Sequence, residues 1–118
     1  MNIAVIDVGT SSIRGILYNN SGKILHMHQI RYQVQYINET FAEKDPKEWK
    51  CDLYAIGKNL SEWTNEHHIH IDGLSLTSQR STVIPVDKNA VPLSQAIMWM
   101  DKRNTSIGNE LKHAEKLI

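Results

Sequence analysis

The sequence predicts an α/β fold in which helices pack on a mixed β-sheet. Three strand-like segments follow one another at the start of the chain, with short loops between them. A helix-start signal and a helical pattern of apolar residues come next. Further strand-like segments follow that helix. At 118 residues, the chain is predicted to form a single domain over residues 1–118.

The first three segments predict an antiparallel three-strand meander. The apolar run Ile3–Ile6 ends at Asp7, as a buried strand does before a tight turn. The second segment spans residues 12–18, and the third runs from residue 24 to about residue 36. Residues 19–23 (Asn-Asn-Ser-Gly-Lys) adopt positive φ easily and predict a hairpin loop. Parallel neighbours need a crossover of about a dozen residues, so these short loops predict antiparallel pairing.

A helix is predicted to begin at Pro46. Asp45 is an N-cap acceptor, Pro46 suits the first helical position, and Glu48 stands three residues after the cap. Apolar residues then recur at spacings of 4, 3, 4 and 3 on one helical face: Trp49, Leu53, Ile56, Leu60 and Trp63. Burying each such side chain contributes about 1.5–3 kcal/mol, so this face is predicted to pack on the sheet.

Three further elements are predicted after this helix. Residues 71–76 and 82–86 are strand-like, and Pro85 assigns the second of these segments to an edge or a bulge. A last helix is predicted from about Asn104 to the end, because apolar residues recur there at spacings of 4, 3 and 3. No glycine or asparagine stop signal follows it, so the chain is expected to be cut within its domain.

Charge and cysteine content exclude several classes of function. Thirteen basic and thirteen acidic residues give a net charge of zero, so neither nucleic acid nor an anionic membrane is predicted as a partner. The single cysteine, Cys51, excludes an internal disulfide and is expected to be buried and inert. Because the sequence contains neither a membrane-length apolar run nor a signal peptide, a cytoplasmic protein is expected.

The strongest candidate site lies between the first two strands, in residues 7–14 (Asp-Val-Gly-Thr-Ser-Ser-Ile-Arg). Phosphate binding uses freed backbone N–H groups, hydroxyl donors and a cation. Gly9 permits a tight turn, and the donors are Thr10, Ser11, Ser12 and Arg14. Asp7 at the strand end is placed to hold Mg²⁺, directly or through water. The alternative is an Asx-type turn in an ordinary hairpin, and this segment alone leaves both interpretations open.

Five segments, in this order, resemble those of the FGGY carbohydrate kinases, which belong to the actin/hexokinase/Hsp70-like ATPases. Residues 7–14 resemble the family's first phosphate motif, and residues 19–22 resemble the hairpin turn after it. Asp45-Pro46 with Trp49 resembles the D-P-x-x-W helix start. The segment Gly-Leu-Ser-Leu-Thr-Ser-Gln-Arg at residues 73–80 is similar to the strand that ends in the substrate loop, and residues 96–103 resemble the A-I-x-W-x-D-x-R segment.

This resemblance implies a ribonuclease H-like (actin-like ATPase) domain, of which the chain is a partial, N-terminal piece without the second lobe. It also implies ATP and Mg²⁺ as cofactors. The residues that would contact the ATP phosphates are Thr10, Ser11, Ser12 and Arg14. Asp7 would serve the metal ion and the transferring phosphoryl group.

The resemblance further implies a small-molecule sugar or polyol as substrate, bound by Gln79, Arg80, Ser81, Trp99 and Asp101. Arg80 matches an arginine that contacts a polyol hydroxyl in the family's glycerol kinases, and Trp99 matches a tryptophan that lines the same pocket. Ser81 stands where those kinases carry glutamate. The missing carboxylate predicts a sugar or polyol other than glycerol.

Several of these residues also have structural interpretations. Trp99 either lines the pocket or packs in the core. Asp101 either touches substrate or caps the last helix, and the cap is favoured. Two groups of histidines are possible metal ligands: His26 with His28, and the three residues His67, His68 and His70. The second group follows the predicted helix, and the preference for imidazoles at a helix C-terminus explains it better than metal binding does.

The predicted function is phosphorylation of a sugar or polyol hydroxyl by a longer protein, with this chain supplying the first phosphate turn. In the family, the general base and the second lobe lie downstream, so the chain alone is expected to be inactive and to bind ATP weakly or not at all. Uncovered apolar surface favours a homo-oligomer. The alternatives are a non-catalytic sugar- or partner-binding half-domain and another ATPase of the same superfamily.

Overall fold

The computed structural model describes residues 1–105, 107–108 and 110. The elements in chain order are β1 (Asn2–Val8), β2 (Ser12–Asn19), β3 (Ile24–Arg31), β4 (Gln35–Tyr36), β5 (Ala42–Lys44), α1 (Pro46–Glu66), β6 (Gly73–Ser78) and β7 (Ala96–Ile97). They form two compact units. The first unit comprises Met1–Gln33 and Asp45–Arg80, and the second comprises Val34–Lys44 and the described residues from Ser81 onward.

The first unit contains a four-stranded sheet in the order β3-β2-β1-β6. β2 pairs antiparallel with both β1 and β3, whereas β6 pairs parallel with β1. These pairings confirm the predicted meander and the mixed sheet of an α/β fold. Because β1 and β6 run parallel, they end at the same edge, where Val8 lies beside Ser78. The turn after β1 and the loop after β6 therefore start from neighbouring positions.

The hairpin loop between β2 and β3 is also confirmed. Gly22 has φ of +77°, in the left-handed region that glycine adopts easily. The side-chain oxygen of Asn19 accepts hydrogen bonds from the backbone N–H groups of Ser21 and Lys23, each at 3.0 Å. An asparagine that binds the following backbone in this way stabilises a tight loop.

Helix α1 covers one face of this sheet and begins as predicted. The side chain of Asp45 accepts a hydrogen bond from the backbone N–H of Lys47 at 2.8 Å, and Pro46 occupies the first turn. The predicted apolar face contributes Ile56 and Leu60 to the core, with Leu53 and Trp63 packed partly buried against it. The strands supply the other core residues, Ala4, Ile6, Ile13 and Leu17.

The second unit contains a three-stranded antiparallel sheet in the order β4-β5-β7. The sequence predicted neither this sheet nor the end of β3 at Arg31, since it extended the third strand to about residue 36. The predicted strand at residues 82–86 is wrong: only single bridges form there, at Val83 and Val86. Pro85 lies between these two bridges and has no N–H to donate to a ladder.

Three other predictions meet different outcomes. Cys51 is exposed, so its predicted burial is wrong; it lies two residues from Trp49 and from Leu53, about 200° around the helix from either. The predicted last helix falls largely outside the described residues, and the single domain stays a prediction. Among the described helices, none has the length and apolarity that crossing a bilayer requires.

Gly15 allows α1 to approach β2 closely, and this contact yields a test. A Cβ at residue 15 would lie 2.5 Å from Ile56 Cγ2 and 3.1 Å from Leu60 Cδ1. Gly15→Ala should therefore overpack the core and lower the free energy of unfolding by about 1–3 kcal/mol.

Gly57→Ala is the matched control, because a Cβ there meets nothing within 4 Å. In the interior of α1, this change should raise the free energy of unfolding by about 0.5–1 kcal/mol. Urea titrations of the two variants measure both effects. Equal effects of the two substitutions would show that α1 does not seat against Gly15.

Candidate functional site

The turn between β1 and β2 is closed by one backbone hydrogen bond. The N–H of Gly9 donates to the carbonyl oxygen of Ser12 at 2.9 Å. A Cβ on residue 9 would lie 3.1 Å from that same oxygen, so this turn favours glycine because of crowding. Within the turn, Thr10 is half-buried and Ser11 is exposed. The predicted phosphate donors therefore lie at an accessible edge of the sheet.

Asp7 and Arg14, predicted for the metal ion and for phosphate, lie directly opposite each other on β1 and β2. Nη2 of Arg14 donates to Oδ2 of Asp7 at 2.6 Å. The Arg14 side chain is 46% exposed and the Asp7 side chain is 27% exposed, so the carboxylate is not sealed inside the protein. An ion pair at such exposure contributes about 0–1 kcal/mol, and a ligand can therefore replace it at little energetic cost.

The end of β6 contacts this turn through Gln79. The hydroxyl of Thr10 donates to Oε1 of Gln79 at 3.2 Å, and the N–H of Gln79 donates to the carbonyl of Val8 at 3.0 Å. Arg80, the next residue, is exposed. A residue predicted for phosphate and one predicted for substrate are thus in direct contact, because the parallel pairing of β1 with β6 brings the ends of the two strands together.

Two other side chains reach the turn, and sequence reasoning missed both. Nε2 of Gln29 donates to the hydroxyl of Ser12 at 2.9 Å. The hydroxyl of Tyr32 donates to the carbonyl of Gly9 at 2.5 Å. An open cavity of about 440 Å³ borders this region and is lined by Ser11, Ser12, Gln29, Arg31, Tyr32 and Gln33. The signal that could have found these residues is the register of β3 against β2, which local sequence patterns do not reveal.

Asp101 lies in the second unit, where its carboxylate is engaged in a network. Oδ2 accepts from the N–H of Ala42 and from Nη2 of Arg103, each at 2.8 Å. Oδ1 accepts from the backbone N–H of Arg103 at 2.9 Å and from its Nε at 2.8 Å. Arg103 also pairs with Glu43 at 2.6 Å. The Asp101 side chain is only 3% exposed, so it ties the loop after β7 to β5, and its contact with substrate stays a prediction.

The other predicted substrate residues of the second unit are accessible. Trp99 is 54% exposed, which argues against core packing, whereas its neighbour Met98 is 1% exposed. Ser81 has φ of +60°, in the left-handed region that non-glycine residues rarely adopt. Such conformations concentrate at functional loops.

Two of the histidines weighed as metal ligands, His26 and His67, have structural contacts in the first unit. The rings of His26 and His67 both stack on Trp63, with centroids 4.8 and 4.0 Å away. Nδ1 of His67 lies 2.9 Å from the carbonyl of Trp63, as expected for an imidazole at a helix C-terminus. In the part of the chain that the structure describes, no group of three or more His, Cys, Asp or Glu side chains is arranged to hold a metal ion.

The first unit has a mixed sheet with a tight turn after an inner strand. Solved structures of carbohydrate kinases, which have the actin-like ATPase fold, match this chain. Glycerol kinase from Plasmodium falciparum, crystallised with ADP, matches with a TM-score of 0.88 and 26% identity, over 93% of this chain and 22% of the other. Gluconate kinase from Lactobacillus acidophilus matches with a TM-score of 0.83 and 27% identity, over 96% of this chain and 22% of the other.

The family model for the N-terminal domain of the FGGY family of carbohydrate kinases matches residues 2–117. The chain belongs to this family, which confirms the resemblance of its motifs. A glycerol kinase from Clostridium perfringens is 32% identical over 117 residues, which make up 98% of this chain and 23% of that protein. The chain thus spans about a quarter of the length of the curated relatives it matches.

The Asp101 network predicts a pH dependence of stability. Arg103, through its side-chain hydrogen bonds, holds the pKa of Asp101 well below its usual range. A lowered pKa in the folded state stabilises the protein above the unfolded pKa of about 4, and this contribution is lost as the pH falls further. Asp101→Asn should therefore destabilise the protein at pH 7, and its difference from the wild type should shrink below about pH 4.

Urea unfolding from pH 7 to pH 2 measures this difference. Glu39→Gln, at an exposed carboxylate of the same unit, is the control and should have little effect at any pH. A wild-type advantage over Asp101→Asn that stays constant down to pH 2 would contradict the assignment of the ion pair.

Proposed function

We propose that a protein carrying this chain transfers the γ-phosphoryl group of ATP to a hydroxyl of a sugar or polyol. The turn of residues 9–12, with the Asp7–Arg14 pair beside it, is the observation that carries the proposal. It combines backbone N–H groups, hydroxyls and a guanidinium for phosphate oxygens. Membership of a carbohydrate kinase family supports a carbohydrate hydroxyl as the acceptor.

The residues at the turn fit Mg²⁺. This ion prefers oxygen ligands and retains several water molecules, and Asp7 offers an accessible carboxylate at the end of β1. When bound, Mg²⁺ would neutralise charge on the β- and γ-phosphate oxygens. Asp7 would hold it directly or through water.

Arg14 exchanges partners in this scheme. Its guanidinium leaves the carboxylate of Asp7 and binds phosphate oxygens, which frees Asp7 for the metal ion. The hydroxyls of Thr10, Ser11 and Ser12 would orient the same phosphates. Because the Asp7–Arg14 pair is partly exposed, breaking it opposes nucleotide binding only weakly.

Transfer to the acceptor is a displacement at phosphorus. The acceptor oxygen forms a bond to the γ-phosphorus, the bond to the β–γ bridging oxygen breaks, and ADP leaves. The hydroxyl proton passes to a general base that we place outside residues 1–118. The chain by itself therefore lacks a complete catalytic set.

We propose that Gln79, Arg80, Ser81 and Trp99 contribute to acceptor binding. Fixed polar groups bind sugar hydroxyls, and an exposed aromatic face packs under their C–H groups. Within the first unit, Gln79 contacts the turn through the hydroxyl of Thr10. Ser81 is neutral where the family's glycerol kinases carry glutamate, which supports an acceptor other than glycerol.

A cytoplasmic location and a homo-oligomer complete the proposal. Leu74 and Leu76 of β6 are 67% and 62% exposed, and apolar surface of this kind favours association.

An ADP-release assay tests the proposed function in a protein of the relatives' length that carries this chain. The acceptor panel contains polyols, ketoses and aldonates. ADP release should depend on one class of acceptor and on Mg²⁺, while the 118-residue chain alone should show none. Arg14→Ala should lower kcat/KM by about 100-fold or more, because a charged phosphate contact is lost, and should change the free energy of unfolding by less than about 1 kcal/mol.

Lys50→Ala, at an exposed basic residue of α1, is the control and should leave kcat/KM unchanged. ADP release without dependence on any acceptor would favour another ATPase of the superfamily. Sugar binding without ADP release would favour a non-catalytic module. Either result, or full activity of Arg14→Ala, would contradict the proposal.

A further inference from the structure

We infer that Tyr32 is a positioning residue of the phosphate turn: it holds the Gly9 and Ser11 carbonyls on one side, so that their peptide N–H groups face the phosphates. The two hydrogen bonds by which Tyr32 holds these carbonyls are present whatever the turn binds. That they orient the turn for ATP phosphates rests on the proposed function.

Tyr32 binds the turn at two points. Its hydroxyl donates to the carbonyl oxygen of Gly9 at 2.5 Å, and its backbone N–H donates to the carbonyl oxygen of Ser11 at 3.0 Å. Both bonds come from the residue that directly follows β3. The residue after a neighbouring strand therefore fixes two of the peptide groups within the turn.

Fixing these two carbonyl groups also fixes the direction of the N–H groups in the same peptides. In a planar trans peptide, the C=O and the N–H point in opposite directions. Holding the Gly9 carbonyl therefore turns the N–H of Thr10 away from Tyr32, and holding the Ser11 carbonyl does the same for the N–H of Ser12. Anion-binding turns use backbone N–H groups fixed in this way. Without the Tyr32 hydroxyl, the Gly9–Thr10 peptide could rotate.

Helix α1 supports Tyr32 from behind. The rings of Tyr32 and Trp49 meet edge to face, with centroids 6.3 Å apart and planes at 74°. Burial raises the pKa of Tyr32 above its ordinary value. The hydroxyl thus keeps its proton at neutral pH and remains a donor. The D-P-x-x-W helix start places Trp49 against the tyrosine that holds the turn.

The first test uses Tyr32→Phe, which keeps the ring and removes only the hydroxyl. Hydrogen exchange measured by NMR on the 118-residue chain reports opening of the turn at the Gly9 amide. Losing one hydrogen bond should speed exchange at Gly9 by about 3- to 10-fold. Tyr54→Phe, at a tyrosine of α1 that is 70% exposed, should leave it unchanged. If exchange at Gly9 is the same in Tyr32→Phe and the wild type, the inference is overturned.

The second test separates a positioning role of Tyr32 from an effect on stability. It measures kinetics in the longer protein used for the ADP-release assay. Tyr32→Phe should raise the KM for ATP by about 3- to 10-fold, with a smaller change in kcat, while Tyr54→Phe should change neither. If the wild type is active and Tyr32→Phe has an unchanged KM for ATP, the inference fails and the proposed function stands. If the wild type shows no ATP-dependent activity, both the proposed function and the role of Tyr32 in phosphate binding fail. Faster exchange at Gly9 in Tyr32→Phe would still show that the Tyr32 hydroxyl stabilises the turn.

Discussion

The hydrogen bond from the Gly9 N–H to the Ser12 carbonyl fixes the length of the turn and, with it, the register of β1 against β2. That register places Asp7 opposite Arg14 on one face of the sheet. A slip of one residue would send one of these side chains to the other face. The carboxylate and the guanidinium are together at the turn because the turn is tight, and the tight turn leaves little room for a Cβ at residue 9.

The rest of the first unit holds this turn in place. Gly15 lets α1 lie close against β2, and the buried Ile56 and Leu60 anchor the helix there. At its N-terminal end, the same helix packs Trp49 against Tyr32, which binds the Gly9 carbonyl. The parallel strand β6 brings Gln79 to Thr10 from the other side. Core packing and site geometry thus depend on the same few contacts.

Local patterns in the sequence predicted the features that depend on neighbouring residues. The cap at Asp45, the apolar face of α1, the loop at Gly22 and the tight turn at Gly9 all follow from residue chemistry at short spacing. Features set by long-range pairing escaped prediction. Tyr32 reaches the turn only through the β2–β3 register, and the small sheet of the second unit joins strands about fifty residues apart. Cys51 was misjudged although its helical position, away from the apolar face, was readable.

A crystal structure of the protein with Mg²⁺ and a non-hydrolysable ATP analogue tests the central claim most directly, because it shows both partners of the ion pair at once. The account predicts that the 2.6 Å contact between Asp7 and Arg14 opens. The guanidinium should then bind a phosphate oxygen, and the carboxylate should face the metal ion. Phosphates bound elsewhere, with the Asp7–Arg14 contact intact, would contradict it.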